Sequence, residues 1–261
     1  MCKVIAVANQ KGGVGKTALA GNLGVGLARK GKKVLVIDAD PQGNLTSSLG
    51  IMDADEMEYT LANFITKEIN EEPSVPEDYI LSCEEGVDIV PCNIKLAGMD
   101  YMIMNALSRE RLIDAFVSQV RESYDYILID CSPSLNLVTI NVLTAADSVI
   151  IPVEASYLSM AGLQQLLTSI GSTKRKLNKR LEVEGIVINK VNTRTNHEKE
   201  IIGKLREAYG SKIKVFDVMI PESVRAKECT AQGISIFKHD PKGKVAQAFE
   251  ELTEEVLAYG C

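Results

Sequence analysis

Residues 9–17, NQKGGVGKT, have the types and the spacing that can hold a polyphosphate. Three glycines let the backbone turn tightly, so that successive N–H groups point at one anion. Lys16 would neutralise the β- and γ-phosphates, and the Thr17 hydroxyl would ligate Mg²⁺. A glycine-rich turn with incidental lysines is the other interpretation, but the apolar strand before this stretch and the helical pattern after it favour a phosphate loop.

One position departs from the usual phosphate-loop pattern, G-x-x-x-x-G-K-[ST]. That pattern has glycine at position 10, whereas this chain has Gln10 followed by a second lysine, Lys11. Lys16 already occupies the position of the phosphate-binding lysine. The spacing therefore predicts a separate task for Lys11 without identifying it.

Three aspartates follow apolar runs that have the length of strands. Asp130 ends YILID, while Asp38 and Asp40 lie in VLVIDAD, where residues two apart face the same side of an extended chain. Open α/β sheets bind ligands outside the carboxyl ends of their strands, so we expect all three near the phosphate loop. An aspartate in such a position is often only a turn former or a helix cap. Three of them together with GKT favour a Mg²⁺–nucleotide site.

The elements that must position these residues alternate along the chain. Strand-like runs, continuously apolar as in a parallel sheet covered on both faces, span 4–8, 34–38, 87–91, 126–130, 148–153, 184–191 and 214–220. Helical patterns lie at about 16–30, 108–122, 159–177, 196–209 and 242–258. This alternation predicts an α/β fold, a doubly wound and mostly parallel sheet with helices on both faces.

Some finer features are also predicted. Gly31 is placed to end the first helix in a left-handed conformation, and Ser108 is placed to cap a later one. The acidic stretch 51–86 is expected to be a surface excursion, because the strand–helix alternation resumes directly after it. We therefore expect a single domain over 1–261, without a helix-turn-helix domain before the phosphate loop.

Length and composition limit the class of protein. The chain has 261 residues, 46% hydrophobic and 25% charged, as in a globular protein with a sizeable core. Neither a signal-peptide pattern nor an apolar run near the ~20 residues that span a bilayer is found, so a cytoplasmic location is expected. Six cysteines without CxxC spacing indicate reduced thiols. The net charge of −6 argues against coating nucleic acid over the whole surface and leaves only a local basic patch.

Longer motifs give a resemblance to a known family. KGGVGKT, VLVIDADPQGN and YILIDCSPSL, followed by NVLTAADSVIIPV, VNTRTN and IPESVRAKE, resemble the deviant Walker A ATPases. Within this ParA/MinD superfamily they are most similar to the ParA/Soj branch, which segregates chromosomes and plasmids. The resemblance implies a P-loop NTPase fold, ATP and Mg²⁺, slow partner-stimulated hydrolysis and an ATP-sandwich homodimer. It also implies nonspecific binding of double-stranded DNA, nucleoid association in the ATP state and a ParB-like partner.

The resemblance assigns roles around the phosphates. Lys11 matches the signature lysine, which crosses the dimer to the partner's ATP, and Asp40 matches the carboxylate that positions the attacking water. With Lys16 these two are the catalytic candidates. The candidates for organising Mg²⁺ are Thr17, Asp38 and Asp130. The candidates for enclosing the phosphates are Lys11, Gly12, Gly13, Val14, Gly15, Lys16, Thr17 and Ala18.

Other roles concern the base and the ribose. Asn189 matches a residue that contacts adenine, and Pro221 lies in the segment that flanks the base. Glu154 resembles a ribose contact made across the dimer in the MinD branch.

The candidates for binding DNA come from two basic segments. Arg194 matches an arginine that the Soj branch uses for sequence-independent binding, and Arg225 and Lys227 lie further along the chain. Glu222 stands where the family often has arginine, which removes one positive charge from the second segment.

A MinD-like ATPase that cycles on membranes or positions protein clusters is the main alternative. The membrane-cycling branch needs a basic amphipathic C-terminal helix. Here the last helix combines an apolar stripe with an acidic face, so the stripe is expected to pack on the core and no membrane partner is expected. The stripe residues are Val245, Phe249, Leu252 and Val256.

Two further alternatives share this scaffold. A redox ATPase resembling the nitrogenase iron protein would need two suitably placed cysteines in each subunit, so Cys131 is expected to be a small buried residue instead. A metabolic ligase or synthetase would need a second catalytic constellation, which we do not find in the sequence.

Overall fold

A computed structural model of the chain describes residues 1–155, 157–192 and 196–259. The strands within these ranges are β1 Lys3–Val7, β2 Val34–Ala39, β3 Leu81–Ser82, β4 Asp88–Val90, β5 Tyr126–Cys131, β6 Ser148–Glu154, β7 Glu182–Val191 and β8 Val215–Pro221. They form one sheet in the order β3-β4-β2-β5-β1-β6-β7-β8. Neighbouring strands are parallel, except that β3 runs antiparallel to β4 at one edge.

The helices of the same ranges connect these strands. They are α1 Lys16–Arg29, α2 Asn44–Ser48, α3 Leu61–Ile69, α4 Met99–Met104, α5 Leu112–Val120, α6 Leu137–Ala145, α7 Tyr157–Lys176, α8 Asn196–Tyr209, α9 Val224–Ala231, α10 Ile236–His239 and α11 Lys244–Tyr259. Two parallel strands cannot be joined by a tight hairpin. The chain therefore returns from the end of one parallel strand to the start of the next through helical segments.

The central strand β1 shows why the strands are continuously apolar. Val4 and Ala6 pack into one hydrophobic cluster, together with residues of α3, α5 and α6. Ile5 and Val7 pack into a second cluster, together with residues of α1 and α11. Alternate side chains of a strand face opposite sides, so a strand covered on both faces has to be apolar throughout. The predicted doubly wound α/β fold is confirmed.

The stretch 51–86 is more than the surface excursion that the sequence predicted. It contains α3, whose Phe64 is fully buried. The Phe64 ring packs edge-on against Phe116 at 4.9 Å and against Tyr79 at 5.5 Å, measured between ring centroids. Aromatic pairs with this geometry stabilise a core beyond the area that they bury. The acidic residues around α3 hid its apolar face in the sequence.

The start of α5 also differs from the prediction. The helix begins at Leu112, and Ser108, the expected cap, has a left-handed φ of 50° before it. The cap comes instead from Asn141 of α6, whose Oδ1 accepts hydrogen bonds from the N–H groups of Leu112 at 2.8 Å and Ile113 at 3.4 Å. A side chain distant in sequence thus satisfies this helix N-terminus. The predicted cap at Gly31 is confirmed, since this residue follows α1 with φ 78°.

Helix α11 shows where the C-terminal apolar stripe lies. Its members are buried in the second cluster, as predicted: Val245, Phe249, Leu252 and Val256. Glu250 and Glu254 on the outer side both pair with the Lys30 ammonium. Across the described ranges, no helix combines the length and the apolar character needed to cross a lipid bilayer.

Candidate nucleotide site

The phosphate loop connects β1 to α1 at the carboxyl edge of the sheet. Gly15, the last loop residue, has φ 88°, and a Cβ added there would lie 2.3 Å from Asn189 Nδ2. Glycine is therefore required at this position both by conformation and by space. A Cβ on Gly12 or Gly13 would meet no described atom within 4 Å. This side of the loop is open, as a loop that receives phosphates must be.

Lys16, Thr17 and Asp130 form the floor of the site. Thr17 Oγ1 donates a 2.7 Å hydrogen bond to Asp130 Oδ2. The other oxygen, Asp130 Oδ1, is buried without a hydrogen-bond partner among the described residues. Burial, and secondarily the nearby Asp38, raises the pKa of Asp130 well above its usual value. A buried carboxylate oxygen without a partner, beside a hydroxyl, fits a Mg²⁺ ion or its bound water.

The Lys16 side chain is the cationic part of this floor. Only 7% of the residue is exposed, and its ammonium donates a long hydrogen bond of 3.4 Å to the carbonyl of Lys11. Burial lowers the pKa of Lys16, and the negative charge of Asp130 opposes that change. A buried ammonium with so weak a partner needs an anion, and a phosphate group fits that need.

Asp38 is the register neighbour of Asp130 on β2 and β5, but its oxygens are engaged. Oδ2 accepts hydrogen bonds from the Thr46 N–H at 2.8 Å and the Thr46 hydroxyl at 2.7 Å, and Oδ1 accepts one from the Asp40 N–H at 3.1 Å. Burial raises the pKa of Asp38 to about 6, although these hydrogen bonds act in the opposite direction. Asp38 thus orients the turn that carries Asp40. Its part in organising Mg²⁺ stays a prediction.

Asp40 lies on this turn, buried beside the cavity over the phosphate loop. Its Oδ1 accepts a 3.0 Å hydrogen bond from the Gln42 N–H. Asp40 lines the same cavity as Lys16 and Thr17. The carboxyl ends of β2 and β5 thus bring the three predicted aspartates to the phosphate loop.

Lys11, Glu154 and Lys190 form the rim of the site. Lys11 Nζ lies 2.9 Å from Glu154 Oε2, and Lys190 Nζ lies 3.4 Å from Glu154 Oε1. The exposed fractions of the three side chains are 33%, 26% and 35%. Lys190 also donates a hydrogen bond to the carbonyl of Gly13, and its φ of 56° is uncommon for a residue other than glycine. The two lysines of the loop therefore have different surroundings, Lys11 at the rim and Lys16 in the floor.

Asn189 and Pro221 lie beside a cavity of about 490 Å³. Asn189 is the register neighbour of Glu154, and Pro221 is that of Val191. Asn189 Nδ2 donates a 2.8 Å hydrogen bond to the carbonyl of Val14, which fastens the loop to β7. The size of the cavity is that of a small-ligand site. The predicted residues that line it are Gly12, Gly13, Gly15, Lys16, Thr17, Ala18, Asp40, Asn189 and Pro221.

The predicted DNA-binding residues have other neighbours. Arg194 lies outside the described residues. Arg225 Nε is 3.6 Å from Asp240 Oδ2, and Lys227 Nζ is 3.6 Å from Glu222 Oε1. Surface pairs of this kind are weak, so both cations remain able to bind other anions. Lys227 also lines the nucleotide cavity, and its assignment to DNA stays a prediction.

Two residues of the site were missed in the sequence. Lys190 follows Asn189 at the carboxyl end of a predicted strand, where ligand contacts of an open sheet concentrate, so its position was a signal. Thr46, the partner of Asp38, had no such signal, because its contact depends on how α2 folds back onto β2. Cys131 is buried, as predicted, and burial raises the pKa of its thiol.

The family described as AAA domain matches residues 2–183. The chain is 40% identical over 260 residues to the sporulation initiation inhibitor protein Soj of Bacillus subtilis, which covers 100% of both chains. It is 38% identical over 259 residues to the chromosome partitioning protein ParA of Caulobacter vibrioides, covering 98% of this chain and 94% of that one.

Solved structures share the fold. Cobyrinic acid a,c-diamide synthase from Mycobacterium smegmatis, with bound ATP analog and magnesium, superposes with a TM-score of 0.86 at 30% identity and covers 99% of this chain and 96% of that one. The septum site-determining protein MinD from Pyrococcus horikoshii, complexed with Mg-ADP, gives a TM-score of 0.76 at 25% identity, covering 100% and 99%. Both hold an adenine nucleotide with magnesium, and the floor of this chain fits the same ligands. The site is one for ATP and Mg²⁺.

Proposed function

Because this chain belongs to the ParA/MinD family of P-loop partition ATPases, we propose that it is an ATP-driven switch that segregates chromosome or plasmid DNA. Two protomers with ATP close into a homodimer, which binds double-stranded DNA without sequence preference. Slow hydrolysis ends this state, and a ParB-like protein accelerates it. The chain acts as one ATPase domain in the cytoplasm and lies on the nucleoid while it holds ATP.

The different surroundings of Lys11 and Lys16 carry this proposal. Lys16 is buried in the floor, so in the proposed dimer it serves the nucleotide of its own chain. Lys11 is partly exposed at the rim and pairs with Glu154, a partner that it can exchange at small cost. In the proposed dimer this lysine contacts the phosphates bound by the second copy. The chain thus has one lysine for each of two nucleotides.

The remaining residues take their roles around this pair. The loop N–H groups and Lys16 bind the β- and γ-phosphates, while Asn189 and Pro221 hold the adenine. Thr17 and Asp130 would hold Mg²⁺, and Asp38 would help to organise the groups around the ion. The bound ion would neutralise charge on the phosphate oxygens. Asp40, held by the Gln42 N–H, positions the attacking water.

Light scattering after size-exclusion chromatography tests the proposal with the full chain and Mg–ATP. Wild type should form a dimer that decays as ATP is consumed. Asp40→Ala should bind ATP and persist as a dimer, because it lacks the group that positions water. Lys11→Ala should bind ATP and remain monomeric. An Asp40→Ala protein that stays monomeric with ATP would contradict the proposed role of Asp40.

DNA binding is measured on the same three proteins with a duplex of arbitrary sequence. DNA binding should depend on the dimer, because two protomers double the number of contacts to DNA phosphates. Asp40→Ala should stay bound to DNA, wild type should bind only until its ATP is consumed, and Lys11→Ala should bind weakly. Equal affinity of all three proteins would separate DNA binding from dimerisation and argue against a switch.

The alternative of a membrane-cycling ATPase is disfavoured by α11. The apolar stripe that would insert into lipid is buried in the core, and Glu250 and Glu254 lie on the outer side. Flotation with anionic liposomes and ATP distinguishes the two functions, and binding to those liposomes would favour the alternative. Positioning of a protein cluster would use the same switch with another cargo.

A further inference from the structure

Lys190 is a cation of the site to which the proposed switch assigns no role. Together with Asn189 it binds consecutive peptide groups of the phosphate loop. Asn189 Nδ2 donates to the Val14 carbonyl at 2.8 Å, and Lys190 Nζ donates to the Gly13 carbonyl. The carboxyl end of β7 therefore holds the loop at two successive positions.

Holding these carbonyl groups affects how the loop presents its N–H groups. The C=O and N–H of a trans peptide point in opposite directions, so a carbonyl fixed toward β7 turns the N–H of the same peptide away from β7. The Gly13 and Val14 carbonyls share their peptides with the N–H groups of Val14 and Gly15. A loop that is oriented before binding loses less conformational entropy when the phosphates arrive.

A hydrogen bond to Asn189 fixes the backbone of Lys190 in an uncommon conformation. Its N–H donates a 2.9 Å hydrogen bond to Asn189 Oδ1, and its φ is 56°. Left-handed conformations of residues other than glycine cost free energy and persist where surrounding contacts enforce them, often at ligand sites. The conformation directs the lysine to the phosphate loop.

Glu154 joins Lys190 to Lys11. One carboxylate oxygen lies 3.4 Å from Lys190 Nζ and the other lies 2.9 Å from Lys11 Nζ. Removing the single partner of a partly buried charge leaves that charge uncompensated, which is costly. Because Glu154 has two cations, it keeps Lys190 when Lys11 leaves.

We propose that Lys190 is a positioning residue that couples the phosphate loop to Lys11. Its ammonium orients the loop through the Gly13 carbonyl and compensates Glu154 when Lys11 moves to the phosphates of a second copy. The transfer of Lys11 rests on the proposed function, whereas the loop contact concerns a single chain. The two parts therefore have separate tests.

Calorimetric titration with Mg–ADP tests the loop contact, because it probes the site of one chain. Lys190→Met removes the ammonium but keeps a long side chain, and it should weaken ADP binding about fivefold through loss of a charge-assisted hydrogen bond. Lys190→Arg keeps the charge and should retain most of the affinity. Wild-type ADP affinity in Lys190→Met would overturn the loop contact.

Dimerisation with Mg–ATP at saturating concentration tests the transfer. Lys190→Met should dimerise less than wild type. Glu154 then has lost the Lys190 ammonium, so its pair with Lys11 is harder to break. Adding Glu154→Gln should restore the dimer, since the neutral amide releases Lys11 but can still accept a hydrogen bond from a ribose hydroxyl. A general folding defect in Lys190→Met would not be rescued in this way.

The reference is Glu154→Gln alone: without the carboxylate, loss of Lys190 should cost no further dimerisation, so the double variant should match this single variant. A double variant that dimerises as poorly as Lys190→Met would overturn the transfer. Wild type that stays monomeric with ATP would overturn the proposed function and the transfer with it, while the ADP titration would still decide the loop contact.

Discussion

The floor and the rim of the nucleotide site use the same residue types in different surroundings. In the floor, Lys16 and Asp130 are buried. The Lys16 ammonium donates only a long hydrogen bond of 3.4 Å, and Asp130 Oδ1 has no partner among the described residues, although Oδ2 accepts one from Thr17. In the rim, Lys11 and Lys190 are partly exposed and share Glu154. A buried charge without a good partner gains much from its ligand and exchanges poorly, whereas an exposed pair exchanges at small cost.

This difference fits the proposed function, in which one short loop serves two nucleotides. Lys16 begins α1 and is buried, so we assign it to the nucleotide of its own chain. Lys11 is partly exposed at the rim and has a replaceable partner. Burial, rather than residue type, separates the roles that we propose for the two lysines.

The largest expected effect comes from replacing Lys16 or Lys11 with alanine and measuring the affinity for Mg–ADP by calorimetry. Lys16→Ala should weaken binding by about a hundredfold, because it removes a buried charge from a phosphate. Lys11→Ala should change the affinity by less than about threefold, since ADP binding involves one chain and the lost pair is partly exposed. Equal losses in the two variants would erase the distinction between floor and rim.

A second prediction concerns the buried carboxylates, through the pKa of Asp38, which burial raises to about 6. The pKa of an unfolded aspartate is about 3.9, so between these values the folded chain binds more protons than the unfolded chain. The stability that Asp38 contributes is therefore present at low pH and is lost as the pH rises through about 6.

Thermal unfolding of the nucleotide-free and metal-free protein checks this sign. Wild type should lose melting temperature relative to Asp38→Asn as the pH rises from about 4 to about 7, the window that the unfolded pKa of about 3.9 and the folded pKa of about 6 define. Comparison with this variant removes the contribution of the titrating groups that do not interact with Asp38. A melting-temperature difference that is constant over this range would show that Asp38 does not titrate with a raised pKa.

The smallest expected effect lies outside floor and rim, on α9. Arg225→Ala and Lys227→Ala should each lower the slope of log affinity for duplex DNA against log salt by about one, measured by fluorescence anisotropy with ATP. Glu222→Gln is the matched control, because it releases Lys227 from its 3.6 Å pair and should strengthen binding. Unchanged slopes in both alanine variants would place the DNA contact elsewhere.

Much of the site could be predicted from the sequence because its parts are local or follow from strand ends. Gly15, Lys16 and Thr17 are consecutive, so the strand–loop–helix pattern already contains their geometry. Asp38 and Asp130 end apolar strands, and in a parallel sheet such ends meet at one edge. The residues of the floor and the fold that carries them therefore follow from the sequence.

Contacts between distant segments could not be predicted in this way. The cap of α5 comes from Asn141, and the burial of Phe64 depends on rings from two other segments. No local pattern contains these contacts, because their free energy arises only when the segments pack. The acidic composition of 51–86 predicted only a surface excursion, because the contacts that bury Phe64 come from other segments.

The sequence by itself determined that the loop has two lysines, that carboxylates gather beside it and that a doubly wound sheet presents them. Only the tertiary structure decided which lysine is buried and which lies at the rim. Burial and pairing are properties of packed neighbours, and Glu154 and Lys190 reach Lys11 and the loop from β6 and β7, far along the chain. The different surroundings of Lys11 and Lys16 therefore arise from folding, although the two residues are five positions apart in the sequence.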